Sequence, residues 1–137
     1  MDVIVSTDPE KLDIDFIHSF LTTSYWAKGR TKKEVIITIQ NCVNFGVYLD
    51  GNQIGFARVL TDYTVFGYLM DVFITEEHRG KGYSKLLMQT ITNDPRLQQI
   101  KRWMLITKDA HNLYKQFDFK KVENPSIIME KLTKTSE

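Results

Sequence analysis

The 137-residue chain lacks the material for several kinds of chemistry. Its single cysteine, Cys42, rules out an internal disulfide and gives no support to a cysteine zinc site; a reducing, cytoplasmic setting fits. Three histidines, His18, His78 and His111, fall at no metal-ligand spacing, so no metal is expected. A formal net charge of +1 gives no global pull toward nucleic acid or membrane, and neither is expected as a partner. No apolar run approaches the ~20 residues of a membrane span. The opening "MDVIVSTDPEK" lacks the basic start and apolar core of a signal peptide. There is no repeat, low-complexity tract or linker. What remains, 42% hydrophobic and 26% charged, reads as one domain over residues 1–137. A chain of this size buries roughly 68–70% of its unfolded surface.

Periodicity predicts the elements. "VIVST" reads as a first strand, and apolar residues from Leu12 to Leu21 recur at helical spacing, giving a helix over about 8–22. After the loop "SYWAKGR", Thr31 and Glu34 form a T-x-x-E capping box that starts a second helix running to about Asn44. "FGVYL", the turn at Asp50-Gly51 and "IGFARVL" form a hairpin, and "FGYLMDVFI" adds a third antiparallel strand. A helix over about 82–93 follows. Then come a short turn at Asp94-Pro95, a strand "RWMLIT", a short helix "DAHNLYKQF" and a last strand "SIIMEKL". The expectation is an α/β fold: a mixed, mostly antiparallel sheet of six to seven strands with about four helices on its faces.

The least ordinary stretch is "EEHRGKGYSKLL". It sets Gly80 and Gly82 among Arg79, Lys81 and Lys85, between a strand and a helix. Unpaired amides and the positive dipole end make a helix start an anion site. Glycines remove the side chains that would block close approach. A phosphate is the natural guest; a plain turn with solvated lysines is the bland alternative. The glycines are too close for a Walker A loop, and Lys85 stands where a Rossmann fingerprint needs its third small residue.

Arg79-Gly80-Lys81-Gly82-Tyr83-Ser84 resembles [QR]-x-x-G-x-[GA], the acyl-CoA pyrophosphate loop of the GNAT superfamily of N-acetyltransferases. "DVFITEEHRGKGYSKLLM" looks like that family's strand, loop and helix. "LITKDAHNLYKQFDF" resembles its later strand and tyrosine segment, and the element order matches over nearly the whole chain. Ser84 replaces the usual small residue, Thr107 stands where an asparagine usually contacts the cofactor, and Asp118 replaces the glycine of G-F. The resemblance implies acetyl-CoA as acyl donor, with Val72, Phe73 and Ile74 along its pantetheine arm and residues 79–84 at its pyrophosphate. It implies Tyr114 as the acid that protonates the departing thiolate. An aromatic core place beside Phe117 and Phe119 is the alternative for that side chain. The acceptor would be the amine of a small molecule or a protein. A non-catalytic acyl-CoA sensor and, further off, a nucleic-acid-binding domain are the competing readings; a homodimer is left open.

Other candidates come from the residues themselves. Asp71 is a lone carboxylate in an apolar strand, costly to bury unpaired, so it has a partner, lines a cavity, or both. A structural ion pair and a substrate or proton-transfer role both stay open. Asp62 is a weaker candidate, Asp109 reads as a helix N-cap, and His111 is an exposed residue or a proton relay. For Tyr25 and Trp26 the resemblance implies a substrate wall, since in the GNAT fold the connection between the first two helices borders the acceptor entrance; the alternative is that Trp26 pins the loop to the core. Alternation puts Arg58 on the face of Asp62, as an ion pair or as a contact for an acidic acceptor. Cys42 reads as a buried thiol in the second helix.

Overall fold

The computed structural model describes residues 2–133. Five strands lie in chain order across one sheet: β1 (Val3–Ser6), β2 (Val43–Leu49), β3 (Asn52–Thr61), β4 (Phe66–Ile74) and β5 (Arg102–Met104). The first four are antiparallel neighbours, and β5 joins β4 in parallel. The β2–β3 turn is the expected one, with Asp50 at φ +50° and Gly51 at +81°.

Helices cover both faces, which is why β2 and β3 are buried on both sides rather than alternating. On one face, α1 (Ile14–Leu21) and α2 (Lys32–Gln40) bury Ile17, Leu21 and Val35 against Phe56 and Phe73. On the other, α3 (Tyr83–Thr92) packs Leu87, Met88 and Ile91 against Phe45, Val47, Val59 and Leu69; α4 (His111–Lys115) adds Tyr114. Each fully buried side chain of this kind contributes about 1.5–3 kcal/mol.

Tandem caps split the first predicted helix. Asp8 accepts from Glu10 N and closes a 3-10 turn at Pro9–Lys11, and Asp13 accepts from Phe16 N to start α1 afresh. The capping box at Thr31 and Glu34 is made in both directions. The second helix ends at Gln40, so Cys42 lies past its end, half-buried, not inside it. Asp109 does not cap α4; Ala110 takes that place, and its amide donates to Thr107 Oγ1 at 3.0 Å.

The strand count differs most. Among the described residues, five strands form, not six or seven. β5 stops at Met104, and "SIIMEKL" yields a 3-10 turn at Pro125–Ile127 followed by chain with no ladder. A strand exists only where a neighbour takes its hydrogen bonds, and this segment has none among the described residues.

Candidate functional site

The site begins with a break in β4. Phe56 pairs with Phe73 and Arg58 with Met70, so Ala57 alone faces both Asp71 and Val72. That is a β-bulge, and Asp71 sits in it at φ +55°. Aspartate is among the few non-glycine residues that tolerate the left-handed region. The bulge reverses the alternation of the strand. Leu69 and Phe73, four residues apart, would share a face in a regular strand, yet Leu69 packs toward α3 and Phe73 toward α1 and α2.

The same kink sets Asp71 in a buried polar cluster. Arg58 Nε and Arg30 Nη1 each lie 2.6 Å from its Oδ2, and Trp26 Nε1 donates to its Oδ1 at 2.9 Å. Burial opposes the charge of Arg58, but the neighbouring carboxylate more than offsets it, and the guanidinium pKa is raised. Arg58 Nη1 also reaches Cys42 Sγ at 3.4 Å. Arg58 therefore pairs with Asp71 and not with Asp62. Asp62 instead caps the next turn, accepting from the amides of Thr64, Val65 and Phe66.

Beyond Tyr68, β4 and β5 part. Their pairing covers Phe66 to Tyr68 against Arg102 to Met104, while β4 runs on to Ile74. Val72, Phe73 and Ile74 thus border a gap with no β5 partner. At its end stands the glycine turn. Gly80 (φ +77°) and Gly82 (φ +82°) are both left-handed, and a Cβ built on either would meet nothing within 4 Å. The space over the turn is open; the backbone conformation is what calls for glycine there. Leu86 is the first amide of α3 with a backbone acceptor, donating to Gly82 O at 3.1 Å, so the amides ahead of it are free for a ligand. Arg79 Nε donates back to Ile74 O at 2.9 Å and braces the turn against the strand end. Lys81 and Lys85 are exposed, and Tyr83 and Ser84 open the helix. His78 bonds Thr75 Oγ1 through Nδ1 at 2.8 Å and steadies the approach. Free amides, open glycines and three cations suit a phosphate or pyrophosphate.

Tyr114, on α4, is 8% exposed, edge-on to Phe119, and lines a cavity of about 270 Å³ with Thr107 and His111. Burial, with added effects of Tyr25 and Asp109, pushes its phenol pKa up to about 12. Its hydroxyl stays protonated at neutral pH and is a competent donor. Tyr25, 55% exposed, ties the aromatic loop to the loop after β5. Its hydroxyl accepts from Lys108 N at 3.1 Å, Lys108 Nζ sits 5.4 Å from its ring centroid, and its ring meets Trp26 edge-on at 5.1 Å. The loop carrying both aromatics is held by Ser24, whose hydroxyl donates to Leu21 O and accepts from Ala27 N. Trp26 is thus a pin to Asp71, and Tyr25 is the member of the pair open to a ligand. Thr107, in the next loop, spends its hydroxyl oxygen on Ala110 N.

Residues 72–74 and 79–84 follow one another from the end of β4 into the glycine turn, Tyr25 packs on Trp26 and Lys108, Arg58 and Asp71 are buried as an ion pair, and Tyr114 lines a cavity of about 270 Å³ with Thr107 and His111. Sequence reasoning missed Arg30 as the second partner of Asp71, and Lys108. The one sign of Arg30 was indirect: a lone strand carboxylate needs a cation, and Arg30 is an arginine in the aromatic loop.

The profile of the Acetyltransferase (GNAT) family matches residues 11–119. The chain belongs to the GNAT acetyltransferase family. It is 32% identical over 136 residues to "Putative acetyltransferase FG08082" of Gibberella zeae, covering 82% of this chain and 76% of that protein. A GNAT-family crystal structure from Xanthomonas campestris pv. campestris is 43% identical, with a TM-score of 0.93 over 97% of this chain and 94% of that one. An acetyltransferase structure with acetyl-CoA from Clostridium acetobutylicum shares the GNAT fold alone, at 15% identity, TM-score 0.67, and 89% and 91% coverage. Among the described residues, no cluster of His, Cys, Asp or Glu is placed to hold a metal, and no helix is long and apolar enough to cross a membrane.

Proposed function

We propose that this GNAT protein moves an acetyl group from acetyl-CoA to a primary amine of a small molecule or a protein. One observation carries the reading: the free amides and open glycines at the head of α3 sit at the end of the gap where β4 leaves β5. Residues 79–84 would hold the pyrophosphate, and the backbone of Val72, Phe73 and Ile74 would lie along the pantetheine arm. When bound, acetyl-CoA supplies a thioester carbonyl open to attack by a neutral amine.

The chain's own residues then have separable tasks. A backbone amide of β4 in the gap polarises the carbonyl, since a fixed donor stabilises the oxyanion as it forms. The Tyr114 hydroxyl, protonated with its pKa near 12, donates to the departing sulfur, whose thiol has a reference pKa of about 8.5. Tyr25 borders the acceptor's approach. Asp71 already accepts from three side chains, so we assign it to positioning: it holds Trp26, and through Trp26 the aromatic loop. The amine's proton passes to solvent at the exposed mouth.

Calorimetry and thermal shift with acetyl-CoA, followed by CoA-thiol release across an amine panel, test the reading. Binding together with amine-dependent release is expected. Absence of binding at saturating acetyl-CoA overturns it. Binding without release for any amine or protein acceptor turns the assignment to a sensor.

A further inference from the structure

The tip of the β3–β4 hairpin carries more fixed structure than a connection needs. Thr61 Oγ1 donates to Phe66 O at 2.6 Å and accepts from Tyr63 N at 2.9 Å. Asp62 Oδ1 accepts from the amides of Thr64, Val65 and Phe66. From beside the turn, Lys101 N and Arg102 N donate to Thr64 O and Val65 O. These bonds hold Tyr63 at φ +66°, in the left-handed region that a bulky side chain rarely enters. The strained turn displays apolar surface instead of hiding it. Tyr63 is 47% exposed, Val65 55%, Leu60 45% and Phe66 36%. Leu60 pairs across the ladder with Tyr68, whose ring lies 6.4 Å from that of Phe66, so the patch runs from the tip onto the sheet. An exposed apolar patch and a strained bulky residue held by its surroundings are each marks of a contact surface.

We propose that this tip docks a partner protein through a segment whose apolar side chains are flanked by carboxylates. The rim sets that chemistry. Lys101 and Arg102 are exposed, and neither has an ion-pair partner among the described residues. Arg102 stands in register beside Phe66. The nearby carboxylates are already engaged: Asp62 with three amides, and Asp94 with Arg96 at 2.9 Å. The two cations are left for a partner's carboxylates, and the apolar surface for its side chains. The same rim argues against a second copy, because a two-fold contact centred on the tip would set these cations against their own counterparts. The apolar centre favours a protein segment over a nucleic acid, whose contacts go mostly to phosphate and sugar. The nine residues of β4 separate the tip from the glycine turn, roughly 30 Å of strand. A partner seated here leaves the gap open, so the docking does not depend on the activity proposed above.

The probe is a capped nonapeptide alternating leucine and glutamate, titrated into the isotope-labelled full chain and followed by amide NMR. Saturable shifts are expected at residues 60–66 and 101–102, weakening at high salt. A peptide with lysine in place of glutamate should give none. Tyr63→Gly suits the left-handed backbone, so it is expected to keep or raise the melting temperature while weakening peptide binding at least about tenfold. A tyrosine that serves only the fold gives the reverse: a lower melting temperature with binding intact. Lys101→Glu and Arg102→Glu together should switch the preference to the lysine peptide. No shift at millimolar peptide, shifts centred elsewhere, an equal response to both peptides, or a response only to a single-stranded oligonucleotide overturns the docking.

Discussion

Arg58 Nε on β3 lies 2.6 Å from Asp71 Oδ2 on β4, across a bulge that the aspartate itself forms. Both side chains are almost fully buried, at 8% and 2% exposure, and Arg30 completes the cluster from the aromatic loop. Two guanidinium groups share one carboxylate, so the cluster is only as stable as that carboxylate.

Asp71→Asn is therefore expected to cost stability first. It leaves two buried cations without a counter-charge, a loss of about 3–5 kcal/mol for a broken buried pair. Urea unfolding of the variant beside wild type measures it. A loss below 1 kcal/mol, on the order of an exposed pair, would mean water reaches the cluster.

Gly82→Asp is expected to abolish the acetyl-CoA thermal shift. It forces a side chain into the left-handed region at φ +82° and sets a negative charge among the amides that would face the pyrophosphate. Calorimetry on the folded variant checks the result; a retained wild-type affinity would move the phosphate site elsewhere.

Tyr114→Phe keeps the ring and its contact with Phe119 but removes the donor. We expect kcat to fall on the order of 10²-fold, the lower range for a positioned acid, with acetyl-CoA affinity and melting temperature little changed. A pure packing role gives the reverse pattern: weaker binding and lower melting temperature with kcat intact. Measuring all three on one variant separates the roles.

The alkaline limb of stability should also move with Tyr114. Burial is the main cause that lifts both Tyr48 and Tyr114 from 10.0 to about 12. A raised phenol pKa means the folded state holds the proton more tightly than the unfolded chain. Its stability contribution is complete below pH 10, and it is lost as pH rises from about 10 through 12. Tyr114→Phe should flatten the loss in that window without touching the Tyr48 part. Urea midpoints at pH 9, 10 and 11 test it; identical slopes for variant and wild type would exclude a protected phenol.

What the sequence revealed was local. The capping box at Thr31 and Glu34, the Asp50-Gly51 turn and the glycine pair at 80 and 82 each obey rules that span a few residues. The bulge at Asp71 was hidden because a period-two reading assumes a regular strand. The partners of Asp71 were hidden because they lie 13, 41 and 45 residues away. The sixth strand failed for the opposite reason: "SIIMEKL" has strand composition, but composition cannot supply the neighbour a strand needs.

Those separations set an order of assembly for the Asp71 cluster. Arg58 reaches Asp71 as soon as the β3–β4 hairpin closes, a contact 13 residues long. Arg30 and Trp26 can join only after the aromatic loop and its helices have docked on the finished sheet, because their contacts close far longer loops. Trp26 is then a built-in clock for the last stage. Its indole gains a carboxylate acceptor only on docking, so its fluorescence during refolding should report the arrival of the helical layer separately from formation of the sheet.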